Sequence, residues 1–252
     1  MPRFEPFPGL RYDADRFDLA DVTAPPYDVI DPETRSVMAV GHPHQVVHLD
    51  LPVPDGDLDR YAAACRLLGR WREEGVLIQD EPAFYVYRMA YEDDAGADRE
   101  TLGVIGALEL SRPGEGGILP HEHTTPKARS DRLAMLRSCR ANLSAVWGLS
   151  PASGLTARCR RDEPPLADWV DEDGVGHQLW RVTEPETVAA LSGAVDSAPV
   201  VIADGHHRYE TSLAYRDERR AEDGGDAGPA ELVMCYVVEL AEEQLAVRPI
   251  HR

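Results

Sequence analysis

A strand that must turn directly into a helix sets the framework for this chain. Val200-Val201-Ile202-Ala203 is a continuous apolar run of the length that suits a buried strand, and apolar residues recur at helical spacing from about Tyr209 to Ala221. Only Asp204-Gly205-His206-His207-Arg208 lies between them. A helix that starts this way presents unpaired backbone N–H groups and the positive end of its dipole, and both attract an anion. Gly205 lets the backbone come close to a ligand, and the Arg208 guanidinium can fork onto phosphate oxygens. The expectation is a phosphate-binding turn made by Gly205, His206, His207 and Arg208. The plainer alternative is that Asp204 and the histidines only cap the helix and pair with their neighbours.

The remainder of the chain reads as alternating strands and helices. Residues 1–35 are rich in Pro, Asp and Arg, and Pro25-Pro26 fixes φ and forbids a helix, which predicts an extended loop there. Residues 46–51 read as a short strand. Tyr61, Ala64, Cys65, Leu68 and Trp71 recur at helical spacing over 59–74, with Gly75 placed to end the helix. The β-rich runs 84–91 and 101–110, separated by an acidic loop, predict a hairpin. Ser130 is placed to cap a helix carrying Leu133, Met135, Leu136 and Cys139. Residues 153–178 read as an irregular bridge, 186–191 as a short helix and 232–238 as a last strand. The fold class expected is mixed α/β (α+β), with an N-terminal subdomain over 1–152, the bridge over 153–178 and a strand-turn-helix-strand unit over 179–252.

Charge and composition restrict the function classes. A formal net charge of -19 repels a phosphate backbone over the whole surface, and no concentrated basic patch offsets it, so nucleic acid is not an expected partner. No apolar run approaches the roughly 18 residues of a membrane span. The opening Met1-Pro2-Arg3-Phe4-Glu5-Pro6 has an acid and two prolines where a secretory signal needs an apolar stretch. The 4 cysteines form no CxxC pair and read as reduced core residues of a cytoplasmic protein. Oligomeric state is left open.

Two further clusters carry chemistry. His121, Glu122 and His123 stand just before a predicted helix, near Lys127, Arg129, Asp131 and Arg132. One reading has Glu122 or a histidine exchanging a proton while Lys127 and Arg132 neutralise phosphate; the other is a charged surface helix terminus. Histidines at i and i+2 point in opposite directions on an extended segment, so a zinc site would have to recruit Asp204, His206 or His207 across the fold. Lys127 is the only lysine among 26 basic residues, and a compact ammonium suits a point contact that a guanidinium does not make. Tyr27-Asp28, following the proline pair, is either packing or a rigid element reaching into a site.

Four segments together, Ala24-Pro25-Pro26-Tyr27-Asp28-Val29-Ile30, His121-Glu122-His123-Thr124-Thr125-Pro126-Lys127 with Asp131-Arg132-Leu133, Arg140-Ala141-Asn142-Leu143-Ser144, and Ala203-Asp204-Gly205-His206-His207-Arg208-Tyr209-Glu210-Thr211, resemble the family catalogued as domain of unknown function 1015. Members of that family usually continue past the equivalent of Pro249-Ile250-His251-Arg252, so the chain is expected to correspond to the N-terminal part of one. The Gly-His-His-Arg turn is also similar to that of the ParB and sulfiredoxin superfamily, which holds nucleotide phosphates at a helix N-terminus and includes archaeal free-serine kinases. His206 stands where the sulfiredoxin turn has cysteine, which argues against reductase chemistry. The resemblance implies a ParB/sulfiredoxin-like element with an additional N-terminal subdomain, and a phosphotransferase using ATP or ADP with Mg²⁺ on a small hydroxylated metabolite, a free amino acid such as serine being one candidate. Asp204 would stand near the metal, Glu122, His207 and Lys127 would act in catalysis, and Tyr27, Asp28, His121, Arg132 and Asn142 would line the site. A nucleotide-gated binding module and a metal-dependent hydrolase are the alternatives.

Overall fold

A computed structural model describes residues 1–93, 95–119, 126–225 and 227–241, with side chains for all of these except 126–129. In chain order the elements are β1 (Phe4–Glu5), β2 (Leu10–Tyr12), α1 (Leu19–Val22), a 3₁₀ turn (Tyr27–Val29), α2 (Pro32–Gly41), α3 (Val47–Asp50), α4 (Arg60–Glu73), β3 (Leu77–Gln79), β4 (Phe84–Glu92) and β5 (Asp98–Glu109). There follow β6 (Ile118–Leu119), α5 (Pro126–Cys139), β7 (Val146–Ser150), α6 (Leu155–Cys159), β8 (Ala167–Val170), β9 (Gly176–Val182), α7 (Pro185–Asp196), β10 (Val200–Asp204), α8 (His206–Asp223), a second 3₁₀ turn (Gly228–Glu231) and β11 (Leu232–Glu239). Among the described residues no helix is long and apolar enough to cross a membrane.

The fold is mixed α/β around one 9-stranded sheet in the order β6-β10-β7-β11-β5-β4-β9-β8, with β1 pairing to the end of β5. The predicted hairpin is β4–β5, in register from Tyr85 opposite Ile105 to Glu92 opposite Asp98. β11 sits between β7, which it parallels, and β5, which it opposes, and is buried along most of its length. A strand hydrogen-bonded on both edges and covered on its faces reads as a continuous apolar run rather than an alternating one.

One face of the sheet carries the main core, where Phe4, Phe84, Val104 and Leu108 meet Leu155, Leu191 and Tyr209 from the helices. Phe4 stacks on Phe84 with centroids 5.0 Å apart, and Gly106 lies beneath the pair: a Cβ there would fall 2.4 Å from the Phe4 ring. A second cluster, Leu49, Leu68, Trp71, Val76 and Leu77, ties α3 to α4 and β3. Two buried polar residues fix α8. The Tyr209 hydroxyl donates to Ser111 O at 2.8 Å and accepts from Ser111 N at 3.0 Å, and Arg216, 3% exposed, donates to Leu110 O.

Several expectations are corrected. Residues 46–51 form the helical turn α3 and not a strand: Gln45 Oε1 accepts from Val47 N, Asp50 N donates to Val46 O, and Val47, Leu49 and Asp50 are all buried, so the alternating apolar pattern has no exposed face to alternate with. α5 begins four residues before Ser130, at Pro126, a residue suited to a first helical position. Residues 153–178 are not irregular throughout, since they contribute α6, β8 and the start of β9. Helix α7 extends past 191 to Asp196. Cys159 and Cys235 are core residues, but Cys65 is exposed, because Ala63, Ala64, Leu68 and Trp71 make the buried face of α4.

Candidate functional site

Strand β10 ends at Asp204, and Gly205 turns the chain with φ +85 and ψ 29, a left-handed conformation that favours glycine. Helix α8 begins at once with His206, so both histidines belong to its first turn rather than to the loop. His206 is buried and His207 half-buried. The N-cap is Gly205, which has no side chain to cap with, the first turn holds no acidic residue, and the Asp204 carboxylate goes to Arg208 rather than to the helix N–H groups. Asp204 instead pairs with Arg208 one turn along, and Arg208 also donates to Ala145 O at the foot of β7. These contacts fold the guanidinium over the turn, where an ideal Cβ on Gly205 would lie 2.9 Å from Arg208 Cζ. The close approach that glycine permits is occupied by Arg208.

Beside this turn, α5 packs along α8 and flanks a small, partly open cavity of about 50 Å³. Arg208 and Thr211 of α8, Arg132 of α5, Asn142 and Ser144 of the segment that follows it, and Asp50 at the end of α3 line the cavity. Arg132 is spent on protein partners. It donates to Asp50 Oδ1 at 2.8 Å and Asp50 O at 3.0 Å through Nη1, and to Asp131 Oδ2 through Nε at 3.1 Å and Nη2 at 2.9 Å. Its guanidinium lies 4.1 Å above the Tyr27 ring, a cation–π contact. In this arrangement its charge holds Asp50 and Asp131. Asp131 also accepts from Tyr61 OH at 2.9 Å and pairs with Arg60.

The two carboxylates held by Arg132 differ. Burial pushes the Asp131 carboxyl up, but hydrogen bonds from Tyr61 and Arg132 outweigh it and hold the group below its usual range. For Asp50, burial wins over the attraction of Arg132 and raises the carboxyl, with the charge of Asp28 adding in the same direction. Burial likewise raises the Tyr27 phenol. Thr211 is 3% exposed, and its Oγ1 is buried with no hydrogen-bond partner.

Of the residues singled out from the sequence, Tyr27, Arg132, Asn142 and Arg208 converge around Asp50, Asp28 is felt through its charge, and Asp204 joins through Arg208. His121, Glu122 and His123 lie outside the described residues. Lys127 falls in the first turn of α5, with its side chain outside them too. Among the described residues no three His, Cys, Asp or Glu side chains gather to hold a metal. Asp50 and Thr211 were not named as site residues: Asp50 sits in a stretch that reads as a strand, and Thr211, though it ends the fourth family-like segment, is one of many polar residues on an amphipathic helix.

No curated protein and no solved structure matches the chain. The family described as "Protein of unknown function (DUF1015)" matches residues 4–252, nearly the whole length, and the chain belongs to that family.

Proposed function

We propose that this protein binds the phosphates of ATP or ADP at the Gly205 turn and transfers a phosphoryl group to a small hydroxylated metabolite. The observation that carries the reading is the start of α8. A left-handed glycine follows a core strand, the first turn holds no acid, 18 residues of helix stand behind it, and an arginine lies across the opening. The backbone donors of a helix's first turn and an aligned dipole favour a negative ligand. The similarity of the turn to phosphate-holding turns of the ParB and sulfiredoxin superfamily supports the same reading.

In this reading an arriving phosphate competes with Asp204 for Arg208, offering more negative charge and a geometry the guanidinium can grip with two donors. Release of that pair leaves Asp204, whose side chain is 55% exposed, available to a divalent cation. Mg²⁺ commonly takes one or two carboxylates together with phosphate oxygens and water, so a single Asp204 fits such a metal without a preformed cluster. Bound there, Mg²⁺ would supply neutralisation of phosphate charge. The chain's own part is positioning: Gly205, His206 and His207 bring backbone donors to the phosphates, and Arg208 closes over them. The four cysteines, all free, fit a reducing compartment such as the cytoplasm.

Calorimetry with ATP and ADP, with and without Mg²⁺, tests the reading. Arg208→Ala should lose about 1.5 to 3 kcal/mol of nucleotide binding, the worth of a charge-assisted partner. Equal affinity of wild type and Arg208→Ala, or no binding of either nucleotide by wild type, refutes it.

A further inference from the structure

Buried polar groups in folded proteins are nearly always paired, and an exception calls for an explanation. The cavity between α5 and α8 holds one. Thr211 Oγ1 is buried there without a partner, on a residue only 3% exposed. Across the same cavity, Asp50 commits Oδ1 to Arg132, while its Oδ2 has no partner among the described residues. The bonds of Arg132 go to Asp50 Oδ1, Asp50 O and Asp131 Oδ2, and none of them reaches Asp50 Oδ2. A carboxylate oxygen asks for a donor, and a threonine hydroxyl can give or accept. A ligand hydroxyl satisfies both: its O–H donates to Asp50 and its oxygen accepts from Thr211.

We infer that Asp50 is a catalytic residue that takes the proton of the acceptor hydroxyl, that Thr211 orients that hydroxyl, and that the acceptor is a primary alcohol whose hydroxymethyl end enters this cavity. The inference rests on the phosphotransferase reading of the Gly205 turn and deepens it. Arg208 lines the cavity and also covers the turn, so the hydroxyl side and the phosphate side of the site share a wall. In the transfer, the acceptor oxygen bonds to the terminal phosphorus of the nucleotide as the bond from that phosphorus to its bridging oxygen breaks. The electron pair leaves with the shortened nucleotide, and the hydroxyl proton passes to Asp50 Oδ2. Burial raises the Asp50 carboxyl and makes it a better proton acceptor than an exposed aspartate. Arg132, gripped by Asp131 and stacked on Tyr27, is a positioning residue that aims the carboxylate. The cleft is narrow, about 50 Å³, and a slender hydroxymethyl end suits it better than a branched one.

The experiment incubates the whole chain with Mg²⁺ and ATP, and in parallel ADP, against L-serine, glycerol and ethanolamine, with L-threonine as the branched control. Phosphorylated product is followed by ³¹P NMR and nucleotide affinity by calorimetry. The result expected is product from a primary alcohol in preference to L-threonine, with turnover rising as a carboxyl group ionises. Asp50→Asn should lose about 10²- to 10⁴-fold in turnover and lose that pH dependence, at unchanged nucleotide affinity. Thr211→Val, which keeps the shape and removes the hydroxyl, should raise the acceptor KM by about tenfold with nucleotide affinity and thermal stability kept. Undiminished turnover in Asp50→Asn overturns the inference and leaves the nucleotide reading standing, as does product from L-threonine alone or from none of the alcohols while nucleotide still binds. Should Asp50→Asn fail to fold, Thr211→Val decides, and unchanged KM and kcat overturn the inference. A wild type that binds neither ATP nor ADP overturns both readings together.

Discussion

Replacing Gly205 by alanine should destabilise the protein through two separable effects. A non-glycine residue held at φ +85 sits in the left-handed region, which costs about 1–2 kcal/mol. The new Cβ would also stand 2.9 Å from Arg208 Cζ and Nε and 3.1 Å from Nη2, distances at which the guanidinium must withdraw from Asp204 and Ala145 O. Charge-assisted bonds of this kind contribute about 1.5–3 kcal/mol when buried. Because Asp204 is 55% exposed, water and salt screen its share, and about 1 kcal/mol is a fairer figure here. The sum is about 2–3 kcal/mol. In a chain of this length each kcal/mol moves Tm by about 2–4 °C, so a fall of about 4–12 °C is expected. A double-mutant cycle with Arg208→Ala, read by urea denaturation, separates the parts: in the Arg208→Ala background Gly205→Ala should cost only its backbone share, leaving a coupling of about 1 kcal/mol. A single-mutant cost under about 0.5 kcal/mol would refute the backbone argument. Equal costs in the two backgrounds would refute the placement of Arg208 over the turn.

Tyr209→Phe should cost about 1–3 kcal/mol by calorimetric unfolding, because the partly buried N–H and carbonyl of Ser111 lose their shared partner; an unchanged Tm would show that water replaces it. Asp80 accepts from Arg11, Tyr85 and Arg181; although burial pushes its carboxyl up, these partners hold it below the usual range. A folded value below the unfolded value of about 3.9 adds stability that is present above that pH and lost as pH falls through the folded value. Urea denaturation from pH 7 to 2 should therefore show an acid limb that is shallower in Asp80→Asn, and identical limbs would count against the argument. If Lys127 contacts the transferred group, Lys127→Arg should lower kcat with nucleotide affinity kept, and unchanged turnover would return Lys127 to the surface.

The parts of the fold legible in the sequence were those whose signal is local. Asp59, which accepts from the N–H groups of Tyr61 and Ala62, and Gly75 at φ +67 bracket α4 as the spacing implies. β4 and β5 pair across an acidic turn, and β10 runs into α8 through Gly205. The misreadings come from contacts distant in sequence. His-Leu-Asp-Leu after two valines has the alternation of a strand, but the helical turn α3 is buried by Leu68, Trp71 and Val76, which a local pattern cannot register. The stretch 153–178 is polar enough to pass for a loop, yet β8 is an edge strand paired only to β9, and edge strands tolerate polar residues.

The site divides along the same line. Gly205 and Arg208 announce themselves because a turn from strand to helix restricts residue type locally, whereas Asp50 carries no such mark. An aspartate at the end of a four-residue helix becomes significant only when α5 delivers Arg132 to one of its oxygens and α8 closes a cavity over it with Thr211. The role of Arg132 is illegible in the sequence for the same reason. A basic residue beside an acid on a helix can serve an anion or its own neighbours, and the choice depends on Tyr27 and Asp50, which stand about a hundred and about eighty residues away. With Arg132 holding Asp50 and Asp131, the proposed reading gives the proton acceptor to the cavity side of the site and the phosphate to Arg208. A site divided in that way, cationic at the turn and acidic in the cavity, matches what transfer between a phosphate and a hydroxyl requires of a protein: charge to hold the one and a base to receive the proton of the other.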